Sequence, residues 1–303
     1  MNFRPVRPKD YQRVQPFFKN MQHELCAYSL DSMMVWHNEG YSPYWDVHDD
    51  ALVVCVRFAD KRKNPYMILP IAPGREFTPE DLAKFADKAG IGKFHFVSKA
   101  YIAKYGRERL SSLFSVRSHV EYHDYIYATE DLATLKGSKY SKKRNLINQF
   151  KKNYINQGKV EIQDLQEEHT AECHDFLDEW CRQRDCGRDM EDDLACEKRA
   201  VQNALRYWTQ LRFKGTVVRV NGEIRAFAIG SHLTSSMGNL NFEKADADVK
   251  GLYQYLDRES AARLFDGYEF INKESDMNLP GLAHAKQSYY PVKMVHSYKL
   301  ILR

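Results

Sequence analysis

Residues 216–233 read TVVRVNGEIRAFAIGSHL. Two alternating, β-rich runs flank Asn221-Gly222, a dipeptide that closes a two-residue turn with positive backbone φ. This predicts a β-hairpin and commits the second half of the chain to a largely antiparallel sheet. GNLNFEKADAD continues as a further strand, GLYQYLDRESAARLF as a helix, YEFINKESD as a strand running into a loop, and PVKMVHSYKLIL as one closing strand. Ahead of the hairpin, VEIQDL reads as a strand. An amphipathic helix over 167–184 carries Phe176, Leu177 and Trp180 and is broken at Cys186-Gly187. A second helix over 192–211 carries Val201, Leu205 and Trp208 on one side.

The first half repeats this order more loosely. A helix is expected over 7–25, where Val14, Phe17, Phe18 and Met21 recur at helical spacing. Residues 40–50 read as a loop. ALVVCVRF and YMILPI read as strands joined by a turn carrying Asp60, Lys61, Lys63, Asn64 and Pro65. Thr78-Pro79-Glu80 starts a helix that stops at Gly90, and EYHDYIYA alternates as a strand does. At 303 residues the chain exceeds one ordinary core. The fold class expected is α+β. It comprises two lobes, each a mixed and mostly antiparallel sheet flanked by helices, over 1–135 and 159–303, with a connecting helix over 136–158.

That connector is the main charge feature. No acidic residue stands between Asp131 and Glu161, while Lys136, Lys139, Lys142, Lys143, Arg144, Lys151, Lys152 and Lys159 do. The net charge of the whole chain is only +4, so the positive field is local and suits a phosphate-rich partner. Ser138 or Ser141 is the candidate cap, and Leu146, Ile147, Phe150 and Tyr154 give one apolar edge. Lysines in the first turns oppose the helix dipole unless an anion sits there. A solvated linker helix is the plainer alternative.

Several classes fall away. No apolar run reaches the length of a membrane-crossing helix, and the charged start MNFRPVRPKDYQRV lacks a signal peptide's apolar core, so a cytoplasmic location is expected. The six cysteines, Cys26, Cys55, Cys173, Cys181, Cys186 and Cys196, form no CxxC pair. His169 and Cys173 stand one helical turn apart without a second close pair, so packed reduced thiols and no metal are expected. There is no Walker loop, dinucleotide fingerprint or HExxH pair.

The element order of the second half is the layout of GNAT-type acyltransferases. The segments LKGSKYSKKRNLINQFKKNY, VNGEIRAFAIGSHL, NFEKADADVKGLYQYLDRE and INKESDMNLPGLAHAKQSYYP go further. With CAYSLDSMMVW and YMILPI they resemble the bacterial family related to the C-terminal domain of phosphatidylglycerol lysyltransferases, over most of the chain. The chain departs from it at Asn278, where the family has glycine, and at Ala283, where it has a basic residue. The resemblance implies two tandem GNAT-like lobes. It also implies transfer of an aminoacyl group from aminoacyl-tRNA to an anionic lipid or another small acceptor, with peripheral membrane contact.

Such a transfer needs a base, oxyanion donors and cationic grips. Glu274 and Asp276, two apart at a strand end, are candidates for base or amine grip and for second carboxylate. Lys286 would bind phosphate or steady negative charge on oxygen, and Asn272, Ser288 and Tyr290 would contact substrate. The plainer reading is a surface Glu–Lys pair. Glu243 would line the same cleft from a neighbouring strand, with Lys244 on the opposite face; Glu243, Asp246 and Asp248 also fit a solvating strand end. Lys139, Tyr140, Lys143, Arg144 and Asn145 are the expected anion grip, although Tyr140 also suits a staple between helix and lobe. Lys250-Gly251 stands where a GNAT enzyme holds the pyrophosphate of CoA. Only one glycine of that loop remains, which keeps acetyl-CoA or another acyl-CoA as cofactor in the alternative reading, an N-acyltransferase. A non-catalytic binder of RNA or anionic lipid is the third.

Overall fold

The computed structural model describes residues 1–183 and 193–303. Its strands are β1 Arg4–Pro5, β2 Tyr41–His48, β3 Ala51–Phe58, β4 Tyr66–Met67, β5 Lys93–Ser98, β6 Phe114–Ser118 and β7 Asp124–Ala128. After the connecting helix come β8 Val160–Asp164, β9 Lys214–Val220, β10 Glu223–Thr234, β11 Met237–Ala245, β12 Phe270–Asn272, β13 Lys293–Val295 and β14 Ser297–Leu302. They form two seven-stranded sheets, in the orders β1-β2-β3-β4-β5-β14-β6 and β13-β7-β12-β11-β10-β9-β8.

The two orders are the same plan read from opposite edges. Each sheet runs through antiparallel neighbours to one parallel pair, β4 with β5 and β11 with β12. The helix Pro79–Ala89 makes the first crossover and the helix Leu252–Leu264 the second. Parallel neighbours require such a crossover. Next to each parallel pair lies a strand from the other half of the chain. β14 pairs with β5 and β6, and β7 pairs with β12 and β13. The sheets therefore exchange strands across the boundaries at 135 and 159. The expected single closing strand is two, split at His296, with β13 in one sheet and β14 in the other.

The Asn221-Gly222 hairpin forms as expected, with φ of 55° and 86°. Thr78 caps its helix reciprocally with Asp81. Residues 40–50 are not a loop: β2 pairs with β3 along its whole length. The helix expected over 7–25 is broken into the turns Pro8–Asp10, Tyr11–Val14 and Gln15–Phe18, because Pro16 has no N–H for a helical ladder. Neither Ser138 nor Ser141 caps the basic helix; a tight turn, Ser138–Tyr140, leads directly into Ser141–Asn153. The break expected at Cys186-Gly187 lies outside the described residues.

One face of the second sheet packs on the helices Thr170–Gln183 and Asp193–Arg206, in a core continuous with that of the first sheet. The other face packs on the basic helix and on Leu252–Leu264. Between the sheets lies the short helix Leu30–Val35, every residue of which is buried. It is tied to the second sheet by polar groups. Ser29 Oγ lies 2.9 Å from Ser231 Oγ, and Asn241 Nδ2 donates to Ser32 Oγ at 2.5 Å.

Gly251 shows how closely the elements approach. A Cβ there would stand 2.2 Å from the Leu146 carbonyl oxygen of the basic helix, and φ is +86°. Gly251→Ala should therefore lower stability by about 1–3 kcal/mol through overpacking and backbone strain. Gly281→Ala, at a helical position with nothing within 4 Å, should leave the melting midpoint unchanged or raise it. Thermal melts of the two variants check the contrast.

Candidate active site

A cleft of about 1510 Å³ opens between the sheets. Pockets for one small molecule run to roughly 300–1,000 Å³, so this one has room for two reactants. On its second-sheet side a lysine sits among carboxylates. Lys273 follows directly on β12, and its Nζ donates to Asp257 Oδ1 at 2.7 Å and to Glu243 Oε2 at 3.3 Å. Asp257 comes from the helix Leu252–Leu264 and Glu243 from β11, so three elements meet at one ammonium. The Tyr289 ring packs 5.1 Å from it. Burial alone would lower the Lys273 pKa, but Asp257 and Glu243 outweigh it and the net direction is up. Burial, with Asp257 nearby, pushes the Glu243 carboxyl up to about 7. Its Oε1 is buried and, among the described residues, has no hydrogen-bond partner. Glu243 lines the cleft, and a buried acceptor without a partner calls for one.

Glu274 forms the second centre. It sits just past β12 with φ of 59°, a left-handed backbone that turns it out of the strand. Asn239 Nδ2 donates to its Oε1 at 2.9 Å. Burial pushes Glu274 up to about 8 against that hydrogen bond, and the buried Asp124 adds to the shift. Lys286, from the helix Pro280–Gln287, donates to the carbonyl oxygens of Lys273 and Glu274. Burial pulls its pKa down. The floor thus holds two carboxyls that titrate near neutrality, each beside a buried lysine. Such pairs suit proton transfer.

The structure sorts the residues singled out from sequence. Glu243, Glu274, Lys286 and Lys143 all line this one cleft. Lys143 Nζ donates to Ser288 Oγ at 2.7 Å and lies 3.8 Å above the Tyr289 ring. Lys244 lines it too, paired with Glu197 at 2.7 Å, so the strict two-face alternation expected at 243–244 does not separate them. Asp276 does not share Glu274's direction. It accepts from Tyr125 OH at 2.6 Å and from Asn278 N at 2.9 Å, holding the loop. Asn272 is fully buried and spent on bracing: it donates to Glu24 O and Asp124 Oδ2 and accepts from Glu274 N. Tyr290 packs edge-on against Tyr140 at 5.5 Å and is exposed outside the cleft. Ser288 is occupied by Lys143 and the Ala285 carbonyl.

The anion grip is likewise divided. Lys139 pairs with Asp131 at 3.0 Å. Tyr140 is buried and donates to Tyr289 O at 3.1 Å, which makes it the staple. Arg144 closes the end of the preceding helix through Leu135 O and Gly137 O. Asn145 and Lys250 face solvent, and crowding by Leu146 accounts for Gly251 without a bound phosphate. His169 Nδ1 accepts from Gln166 N at 3.0 Å, a helix cap. Cys26, Cys55, Cys173 and Cys181 are not joined in disulfides.

Lys273, Asp257, Asn239 and Tyr289 did not stand out in the sequence. Asp257 carried a signal: it is a charge on the buried side of a helix whose other buried residues include Leu252, Leu256, Ala261 and Leu264. Lys273 lies in INKESD, next to the more conspicuous Glu274. Asn278, at φ of 63°, has the left-handed backbone that a glycine would suit.

Comparison with known proteins places the chain in a family. The sequence profile described as "Phosphatidylglycerol lysyltransferase, C-terminal" matches residues 18–301. A crystal structure of a conserved Bacteroides thetaiotaomicron protein of unknown function superposes with a TM-score of 0.87 at 29% identity, over 100% of both chains. The C-terminal domain of an Agrobacterium fabrum protein assigned as a lysylphosphatidylglycerol synthetase gives 0.64 at 15% identity, over 96% of this chain and 92% of that one. An uncharacterised Mycoplasmoides gallisepticum protein is 25% identical over 182 residues, 59% of this chain and 56% of that protein. The chain therefore spans little more than half the length of that curated relative.

The raised carboxyls have a stability consequence. The folded chain holds the protons of Glu243 and Glu274 at about 7 and about 8, against 4.5 ordinarily. Their stabilising contribution is complete below the ordinary value and is lost as pH rises through the folded values. Glu243→Gln and Glu274→Gln should flatten that decline, so each variant gains on the wild type as pH rises. Denaturation midpoints measured across this range check it; parallel curves would show that neither carboxyl titrates there. Lys273→Met should cost about 3–5 kcal/mol at neutral pH, because it removes the cation shared by the buried Asp257 and Glu243.

Proposed function

The chain belongs to the phosphatidylglycerol lysyltransferase C-terminal family. On that premise we propose that it transfers an aminoacyl group from a charged tRNA to the hydroxyl of a phosphatidylglycerol-like lipid or a similar acceptor. Family and fold already point to an acyltransferase of the lysylphosphatidylglycerol synthase-like, GNAT type. The observation that carries the finer reading is the pair of buried, near-neutral carboxyls beside Lys273 and Lys286 in a cleft large enough for two reactants.

In this reading Glu243, through its unpartnered Oε1, takes the proton of the attacking hydroxyl. The new C–O bond forms at the acyl carbon, and the ester bond to the tRNA ribose breaks. The ribose oxygen leaves with the proton returned by Glu243. Glu274 grips the ammonium of the aminoacyl group, and Lys286 steadies the oxyanion. Leu279 and Leu282 stand on the cleft wall, 41% and 38% exposed, and offer a lipid an apolar approach. Lys142, Lys152 and Lys159 face solvent along the connector, the segment from which Lys143 reaches the cleft, and suit a polyanionic donor. Among the described residues no helix is long and apolar enough to cross a membrane.

The test is transfer of labelled amino acid from a mixed pool of charged tRNA to phosphatidylglycerol vesicles, with acetyl-CoA as a parallel donor. Transfer from tRNA should appear, and Glu243→Gln should lower kcat/KM by roughly 10²–10⁴-fold. The wild-type rate should rise with pH through the neutral range as the base ionises. Acetyl transfer in place of aminoacyl transfer would favour the acyl-CoA reading.

A further inference from the structure

The cleft has a second end, built by the first sheet. His95 and Phe96 both line it, although they are neighbours on β5. Consecutive residues of a regular strand point to opposite faces. Here Phe96 has φ of 58°, and the register of β5 against β14 slips beside it. A left-handed backbone is strained for an aromatic residue, and such strain gathers where a structure needs an unusual display of side chains. The irregularity puts two adjacent rings on one wall.

Around them is an aromatic box. Tyr66 stacks face to face on His95, with centroids 4.0 Å apart and planes 10° apart. Tyr122 meets Phe96 edge-on at 5.3 Å, and His119 lies 4.9 Å from His95. Burial lowers both His95 and His119 to about 3, so at neutral pH each ring is uncharged and carries one donor and one acceptor nitrogen. Among the described residues neither nitrogen of His95 makes a hydrogen bond. The nearby charges cancel, since Lys299 Nζ bonds Glu121 Oε1 at 3.2 Å.

We propose that this end of the cleft is a subsite for a planar, uncharged nitrogen heterocycle: the base of a nucleoside. Aromatic faces accept any base by stacking, and a neutral imidazole edge reads its ring nitrogens and exocyclic groups. An alkyl chain is the competing occupant. It would bury the polar edge of His95 against groups that cannot hydrogen-bond, which disfavours it. The inference rests on and deepens the aminoacyl-tRNA reading, because the acyl ester of a charged tRNA sits on a terminal adenosine. That base would lie at the first-sheet end and its acyl carbon at Glu243.

The experiment is titration of the full chain with adenosine, followed by saturation-transfer NMR, with lysophosphatidylglycerol as a competing probe. Adenosine should bind, and His95→Leu and Tyr122→Leu should each weaken it about tenfold or more without lowering the melting midpoint. If His95→Leu fails to fold, Tyr122→Leu carries the test. Glu243→Gln should bind adenosine normally while losing transfer. The inference is overturned if adenosine at millimolar concentration shows no transfer signal, or if the lipid probe displaces it and loses affinity in the same two variants. Transfer from charged tRNA with unchanged KM in both variants would remove the subsite and leave the aminoacyltransferase reading standing. Adenosine binding without transfer from any charged tRNA would do the reverse.

Discussion

The two sheets hold each other closed by lending strands. β7, from the first half, supplies the partner that β12 and β13 need, and β14, the end of the chain, fills the gap between β5 and β6. Every buried backbone N–H and C=O must find a partner. Withdrawing either strand would strand a row of such groups in both of its neighbours. The exchange therefore fixes how one sheet sits against the other, and a cleft lined from both sides is a built feature rather than a gap between loosely docked lobes.

Within that frame the chemistry gathers where β12 ends. Lys273 follows it and reaches Asp257 and Glu243, then Glu274 turns left-handed and meets Asn239. Lys286 returns from the next helix to the carbonyls of the same two residues. β12 is the parallel partner of β11 and lies beside the borrowed β7. The carboxyls are shifted because this point is deep, and the lysines keep the depth tolerable. An isolated carboxylate here would simply stay protonated. Paired with cations, it can exist in both forms near neutral pH, which proton transfer requires.

The fold was largely legible. The hairpin at Asn221-Gly222, the capped helix after Thr78 and the helix from Leu252 each carry local signals that need no distant partner. The errors have local causes as well. Pro16 interrupts an apolar periodicity that counted as one helix. The aromatic and polar run Tyr41–His48 looked like a loop because its pairing with β3 supplies what its composition does not. The candidate site was legible in part. Glu243, Glu274, Lys286 and Lys143 stand out as charged residues at strand ends and helix starts, and the fold brings all four to one cleft. Arg144, expected in the anion grip, and Asn272, expected at substrate, are instead spent on backbone carbonyls, because a sequence does not show whether a polar side chain is already satisfied.

What the sequence determined alone is therefore whatever period, turn chemistry and charge density can encode within some twenty neighbours: α+β elements, a basic connector, and acidic and basic groups in the last third. Tertiary structure alone decided which sheet each strand joins, that His296 divides one apparent strand between two sheets, and that Lys273 rather than a more conspicuous residue holds the centre. The reason is that strand partnership and burial depend on groups more than a hundred residues apart, as when β14 pairs with β5. A side chain's proton affinity is set by that burial, and nothing in its immediate neighbours records it.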